Sequence, residues 1–274
     1  MPPITYNIPA SMIEMYRGRN LIVRTDNLSE LDKSLTPEAL KNIVYIELLT
    51  LKDSALQNSQ IYNTPLDLVV SDPVRDLPRL YNYTQWADKH PVRVSVPVAP
   101  GFVKTVKLAT ALNFAVKLIP GQPDSQRVEE MADVLNFYLR QSTVSQPVEF
   151  FHTMLFAFYN DNPLNLWTVC EENPFQYRYI TDQGRETISA RFTDTELPDD
   201  LNTFDKTFIK RLCDEASECL NCEFFANCEA YFKWPNRDFS CADVKMLLRT
   251  LQEAAAELKR DYAASTNATE KKPL

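Results

Sequence analysis

Glycine is scarce in this chain: Gly18, Gly101, Gly121 and Gly184 are the only four in 274 residues, against roughly 7% in an average protein. Phosphate-cradling loops need closely spaced glycines so that the backbone can approach the ligand, and no two of these are close. This excludes a Rossmann or P-loop nucleotide enzyme. Histidine is scarcer still. His90 and His152 stand too far apart to read as a ligand pair, and with no Gly-x-Ser-x-Gly elbow a nucleophilic hydrolase has no support. Cysteine is missing from the first 169 residues, and positive charge falls short throughout, leaving a formal net charge of -8. A surface built for nucleic acid or for an anionic membrane would need the opposite sign. There is no apolar run of transmembrane length, and Met1-Pro-Pro-Ile-Thr-Tyr6 lacks the basic and apolar blocks of a signal peptide. A cytoplasmic protein with neither nucleic-acid nor membrane partners is the expectation.

What the chain does have is 45% hydrophobic residues, enough to bury a core without disulfides. Short apolar runs alternate with helical stripes. Asn20–Thr25, Asn42–Leu49, Leu66–Ser71, Val92–Val98 and Phe114–Ile119 read as strands. Thr36-Pro37-Glu38 caps a helical turn, and Val103–Asn113 and Gln126–Arg140 read as helices, the latter with Val128, Met131, Val134, Leu135 and Leu139 on one face. A weaker stripe covers Leu77–Lys89, and Pro147–Tyr159 reads as a long aromatic strand. Strands separated by helices imply βαβ units and a parallel sheet. With five or six strands the expected fold is α/β, a partial (β/α) barrel over residues 1–160, with a doubly wound flavodoxin-like sheet as the structural alternative. Residues 161–203 read as a bridge carrying a hairpin at Tyr177–Ile188 that turns at Asp182-Gln-Gly184. A small cysteine-rich lobe and an amphipathic helix, Ala242–Tyr262, fill 204–262, and 263–274 reads as a disordered tail.

The chemistry concentrates in that lobe. Five of the six cysteines fall between 213 and 241, and Cys219, Cys222, Cys228 and Cys241 have the spacing C-x2-C-x5-C-x12-C. In a reducing compartment such clustering favours metal over disulfides. Thiolates suit iron and zinc alike, and a C-x2-C turn presents two of them to one centre. Zinc ribbons pair two short knuckles, whereas here there is one knuckle and two widely spaced ligands. A cubane accepts such irregular intervals more readily, so an iron–sulfur cluster is the first expectation and zinc the second. Phe224, Phe225, Tyr231, Phe232, Trp234 and Phe239 would shield such a centre, or form the lobe's own core. Cys213 is either a substitute ligand or a spare buried thiol, and Cys170 an ordinary core residue.

The trio followed by an aromatic loop, a last cysteine and a helix resembles the auxiliary-cluster (SPASM) domain of radical S-adenosylmethionine (radical SAM) enzymes that mature peptides. The resemblance implies one [4Fe-4S] cluster held by Cys219, Cys222, Cys228 and Cys241. Phe232 stands where that family has a cysteine for a second cluster, and Ser189 stands where its upstream G-x4-C element, beginning here at Gly184 after Cys170, has another. The catalytic C-x3-C-x2-C is absent, since the corresponding stretch, Thr25–Lys33, holds no cysteine. The chain therefore resembles a degenerate, pseudo-enzyme form of that family. This implies a non-catalytic iron–sulfur partner protein in the maturation of ribosomally made peptides (RiPP biosynthesis), binding a precursor peptide, a radical SAM enzyme, or both. Two other functions stay open: a zinc-stabilised protein-interaction module, and a stand-alone barrel enzyme with an unidentified cofactor. For the last, the carboxylates near strand ends, Glu47, Asp72 and Glu149, are candidates at a barrel mouth.

Overall fold

A computed structural model describes residues 3–52, 64–162, 164–215 and 217–269. Its strands are β1 (Thr5–Pro9), β2 (Asn20–Thr25), β3 (Ile43–Leu48), β4 (Leu66–Val69), β5 (Val92–Pro97), β6 (Ala115–Ile119), β7 (Val148–Glu149), β8 (Tyr177–Ile180) and β9 (Glu186–Thr187). Among the described residues they form one sheet in the order β7-β6-β5-β4-β3-β2-β1-β8-β9. Every pairing is parallel except β8 with β9, which closes the expected hairpin. The protein is thus α/β with a mostly parallel sheet and a C-terminal helix. β1 escaped the sequence reading, because Thr-Tyr-Asn-Ile-Pro carries too few aliphatic residues to stand out, yet it lies well inside the sheet between β2 and β8. Residues 161–203, expected as a bridge, contribute β8 and β9 to that sheet.

The helices are α1 (Leu28–Ser34), α2 (Pro37–Leu40), α3 (Pro73–Asp76), α4 (Thr84–Ala87), α5 (Phe102–Ala111), α6 (Ser125–Arg140), α7 (Phe151–Tyr159), α8 (Leu166–Val169), α9 (Lys210–Glu215), α10 (Phe225–Cys228) and α11 (Ala242–Thr269). Side-chain oxygens start several of them. Asn27, Thr36, Asp72, Asp124 and Asn165 each accept from a first-turn N–H, which satisfies donors that have no partner inside the helix. At α5 the capping position is Gly101, with φ of 89°. A Cβ there would also stand 2.6 Å from Val74 Cγ2, so both backbone sign and space demand glycine.

Parallel strands joined in sequential order by right-handed crossovers place their helices on one face. That face of the sheet is aliphatic: Ile8, Leu21, Val23, Ile46, Leu48, Leu66, Leu68, Val94, Val96, Val116 and Val148 are all buried. Phe102, Val106 and Ala109 of α5 and Val128, Met131, Val134 and Leu135 of α6 are buried with them. α11 packs along α7, burying Val244, Leu247, Leu248, Leu251 and Ala255 at helical spacing. It continues to Thr269, past Tyr262 where the amphipathic pattern stops; residues 270–274 of the expected tail lie outside the described residues, as does most of the polar loop between β3 and β4.

Two segments depart from expectation. Pro147–Tyr159 is a strand only at Val148–Glu149; from Phe151 it is α7. An apolar run cannot be assigned by composition alone, and here Phe151, Met154 and Ala157 turn inward at intervals of three while Phe156 stays exposed. Leu77–Lys89 is not one helix but a 3-10 segment, Leu77–Tyr83, running into the single turn α4. Among the described residues, no helix is long and apolar enough to cross a membrane.

Candidate functional site

The cysteine lobe is a sequence of tight turns. Cys222 N–H donates to Cys219 O (3.2 Å), Phe225 N–H to Cys222 O (3.0 Å) and Cys228 N–H to Phe224 O (2.9 Å). Glu229 and Ala230 then take left-handed conformations, φ 45° and 59°, turning the chain so that Phe232 and Lys233 line the same cleft as the first two cysteines. Cys241 precedes α11 and its carbonyl accepts from Lys245 N–H (2.8 Å), so its thiol sits at the N-terminus of a long helix, where the helix dipole favours a thiolate.

These turns bring Cys219, Cys222, Cys228 and Cys241 to one small cleft of about 20 Å³, which Phe224, Phe225, Phe232 and Leu248 also line. All six thiols in the chain are free. Among the described residues no three His, Cys, Asp or Glu side chains converge on a single point as ligands of one ion. Burial pushes Cys228 up to about 12 and Cys241 up to about 11, and raises Cys219. The N–H groups of Phe232 and Tyr231 pull Cys228 the other way, and Lys233 does the same for Cys219 and Cys241. Thiols held this high stay protonated near neutral pH unless a bound cation replaces the protons. Lys233 is itself buried, bonded to Glu218 and to the carbonyl of Phe239, and Lys245 reaches the other Glu218 oxygen at 3.2 Å. Two lysines thus stand beside the thiols, where positive charge favours the thiolate form.

Not every expected residue joins this cleft. Cys213, on α9, is buried and pushed up to about 11 by burial and then by Cys219, but it does not line the cleft. Tyr231 and Trp234 turn away into an aromatic cluster with Trp167, Phe192, Phe204 and Phe208, while Phe239 stacks on Phe232 from outside. That cluster, together with Trp167 Nε1 donating to Glu229 O (3.0 Å) and Gln122 bonding Phe232 and Asn236, fastens the lobe to the sheet body. His152 pairs through Nδ1 with Tyr138 OH (2.7 Å) on the surface, and Asp72 caps α3.

Of a second site the sequence reading named only Glu47, as a carboxylate at a barrel mouth. The sheet face opposite the aliphatic one carries charge. In register across β2, β3, β4 and β5 stand Arg24, Glu47, Asp67 and Arg93, and one level on, Ser95 beside Lys117 and Lys117 beside Glu149. The signal was present as alternation, with polar residues at every second position of runs such as Val92-Arg-Val-Ser-Val, but the aliphatic partners dominated the pattern. Over this face lies a cavity of about 280 Å³, toward the C-terminal ends of the strands, lined by Asn7, Arg24, Glu47, Lys117, Tyr177 and Arg191 among others.

Its wall is an ion-pair network. Glu171, held at φ 61° just after α8, accepts from Arg93 Nη1 (2.6 Å), Lys117 Nζ (2.5 Å) and Tyr45 OH (2.8 Å). Arg93 also pairs with Asp67 at 2.6 Å. Burial disfavours the charge on Glu171, but Lys117 and Arg93 outweigh it and hold its carboxyl well below the usual range. Glu47 differs: burial first, then the neighbouring Asp67 charge, pushes it up to about 6. Beyond it, Cys170 lines the same cavity, pushed up to about 12 by burial and then Glu172, with its thiol against Tyr231. Compared with protein-family models, with curated proteins and with solved structures, the chain finds no match.

Proposed function

We propose that the lobe holds one [4Fe-4S] cluster through Cys219, Cys222, Cys228 and Cys241, and that the chain is a non-catalytic cluster-binding partner of a radical SAM enzyme in peptide maturation. The observation that carries the cluster is the convergence of four thiols, separated by two, five and twelve residues, on one aromatic-lined cleft with two lysines at its edge. Burial keeps water from the sulfurs, and backbone N–H groups aimed at Cys228 are the kind of contact that tunes a cluster's potential. Loading requires the cleft to widen, since its resting volume is near that of a single water. The partner role rests on the resemblance in cysteine spacing together with the missing catalytic triad of thiols; the docking partner would be the radical enzyme or its precursor peptide, in the reducing cytoplasm that keeps such thiols free.

A partial (β/α) barrel accounts for the strand order. β1 to β7 run in sequence and β8 returns beside β1, as in a barrel left open between β7 and the β8–β9 hairpin, whereas a doubly wound sheet reverses direction nearer its centre.

Anaerobic purification followed by iron and sulfide analysis and Mössbauer spectroscopy tests the cluster. About four irons and four sulfides per chain are expected, with a brown chromophore lost in Cys228→Ser. A colourless protein carrying one equivalent of zinc overturns it. The second reading, a zinc-stabilised interaction module, uses the same four thiols around a smaller centre. The enzyme reading keeps its ground in the open cavity over the sheet.

A further inference from the structure

We propose that the cavity on the polar face of the sheet is a receptor for a primary ammonium group on a short alkyl chain, with Glu47 as its acceptor. This goes beyond the cluster reading and does not depend on it.

Glu47 receives one hydrogen bond, from Asn7 Nδ2 to Oε2 at 3.0 Å, and Asn7 is fixed for that role because its own oxygen accepts from Arg24 Nη1 at 2.7 Å. Oε1 of Glu47 has no partner among the described residues. Asp67 stands next to it in strand register. Its Oδ2 accepts from Arg93 and Ser95, while Oδ1 is buried without a hydrogen bond. Two neighbouring carboxylates therefore each keep one unused oxygen. Glu47 lines the cavity and Asp67 does not, so Oε1 of Glu47 is the acceptor open to a ligand, and an acceptor enclosed without a donor is costly.

The resident cations are occupied. Lys117 is bonded to Glu171, and Arg24 donates to Asn7 and Ile180 O while stacking on Tyr179 at 3.9 Å. Glu47 faces Arg24 on β2, Asp67 on β4, Lys117 on β6, Tyr179 on β8 and Glu171 after α8, and none of these cations lies within ion-pairing distance of it. Its raised pKa agrees that they do not neutralise it.

The free oxygens also choose among cations. A guanidinium binds best with two parallel N–H groups on both oxygens of one carboxylate, but one oxygen of each carboxylate is already taken. An ammonium presents three diverging donors from a point and needs only the one oxygen that Glu47 leaves open. A divalent metal would ask for more carboxylate ligands than stand here, and no such group exists among the described residues. Ile22, Leu49, Val69 and Ile119 supply the apolar lining for an alkyl chain. Ligands of this chemistry come from two sources, a free alkylamine or the side chain of a peptide lysine.

The test is calorimetric titration of the full chain at about pH 7.5 with n-butylamine and with Nα-acetyl-lysine N-methylamide. The neutral counterparts are n-butanol and Nα-acetyl-norleucine N-methylamide, and butylguanidine is the rival cation. Expected are binding of an amine, no binding of its neutral counterpart, weaker binding of butylguanidine, and a loss of about tenfold or more in Glu47→Gln. Whichever amine binds more tightly identifies the source. Neutral compounds binding as well as amines, butylguanidine binding more tightly, or an unchanged affinity in a folded Glu47→Gln each overturn the proposal. If that variant does not fold, the wild-type pH profile decides: affinity falls as pH drops through about 6, and a flat profile overturns the assignment. Iron and sulfide content of the same preparation reports on the lobe separately.

Discussion

Replacing Glu171 by glutamine removes one negative charge from the network that walls the cavity, and its consequence follows from which cation is left alone. Arg93 keeps Asp67 at 2.6 Å. Lys117, whose side chain is 13% exposed, loses its one ion-pair partner among the described residues. Breaking a buried pair by removing one member costs about 3–5 kcal/mol. The partial exposure of Lys117 and the acceptor oxygen that glutamine retains bring the expectation to about 2–3 kcal/mol. With a urea m-value of about 3 kcal/mol/M for a chain of this size, the unfolding midpoint moves down by nearly ~1 M at unchanged m. Changing Lys117→Met in the same background removes the stranded charge and restores at least half of the loss, since a buried pair replaced as a whole by apolar groups is often neutral. The pH dependence has a definite sign. Glu171 is depressed in the folded state, so its contribution is complete above the unfolded carboxyl value of about 4.3 and disappears as pH falls below it. Wild type and Glu171→Gln should therefore converge in stability in acid. A midpoint within about 0.2 M of wild type at neutral pH, or a double variant no more stable than the single one, would refute the reasoning.

The neighbouring carboxyl gives the opposite sign. Glu47 is raised to about 6, so the folded state loses stability as pH climbs from the unfolded value toward 6, and Glu47→Gln should be more stable than wild type by about 1–2 kcal/mol at neutral pH and no more stable below about pH 4, as read from denaturation midpoints at both. At the start of α5, Gly101→Ala meets Val74 Cγ2 at 2.6 Å with φ of 89°, and a loss of about 2 kcal/mol or more, seen as a lower melting temperature, is expected. In the lobe, Cys213→Ser should keep the metal content of the wild type while Cys219→Ser loses it, because only the second lines the cleft; elemental analysis of both distinguishes them.

Much of this protein is readable without coordinates. Aliphatic runs bounded by turns gave strands β2 to β6, caps and stripes gave α2, α5, α6 and α11, and the Asp182-Gln-Gly184 turn gave the hairpin of β8 and β9. Cysteine spacing alone picked out the four thiols that meet in the cleft. Each of these signals is local, a matter of period, capping or short-range spacing along the chain.

Tertiary structure decided the rest. β1 and β8 become neighbours although nearly 170 residues separate them, and no local pattern announces that pairing. The run Pro147–Tyr159 became a helix because packing against α11, not composition, chose its period. Most of all, the polar cavity exists because parallel pairing in register sets Arg24, Glu47, Asp67 and Arg93 side by side, and because Glu171 arrives from a distant turn to neutralise two of the cations. In sequence these are isolated charges within apolar runs, each an ordinary interruption. Their meaning depends on which strands lie together, and that is fixed only when the aliphatic face is buried and the opposite face is left to form a site.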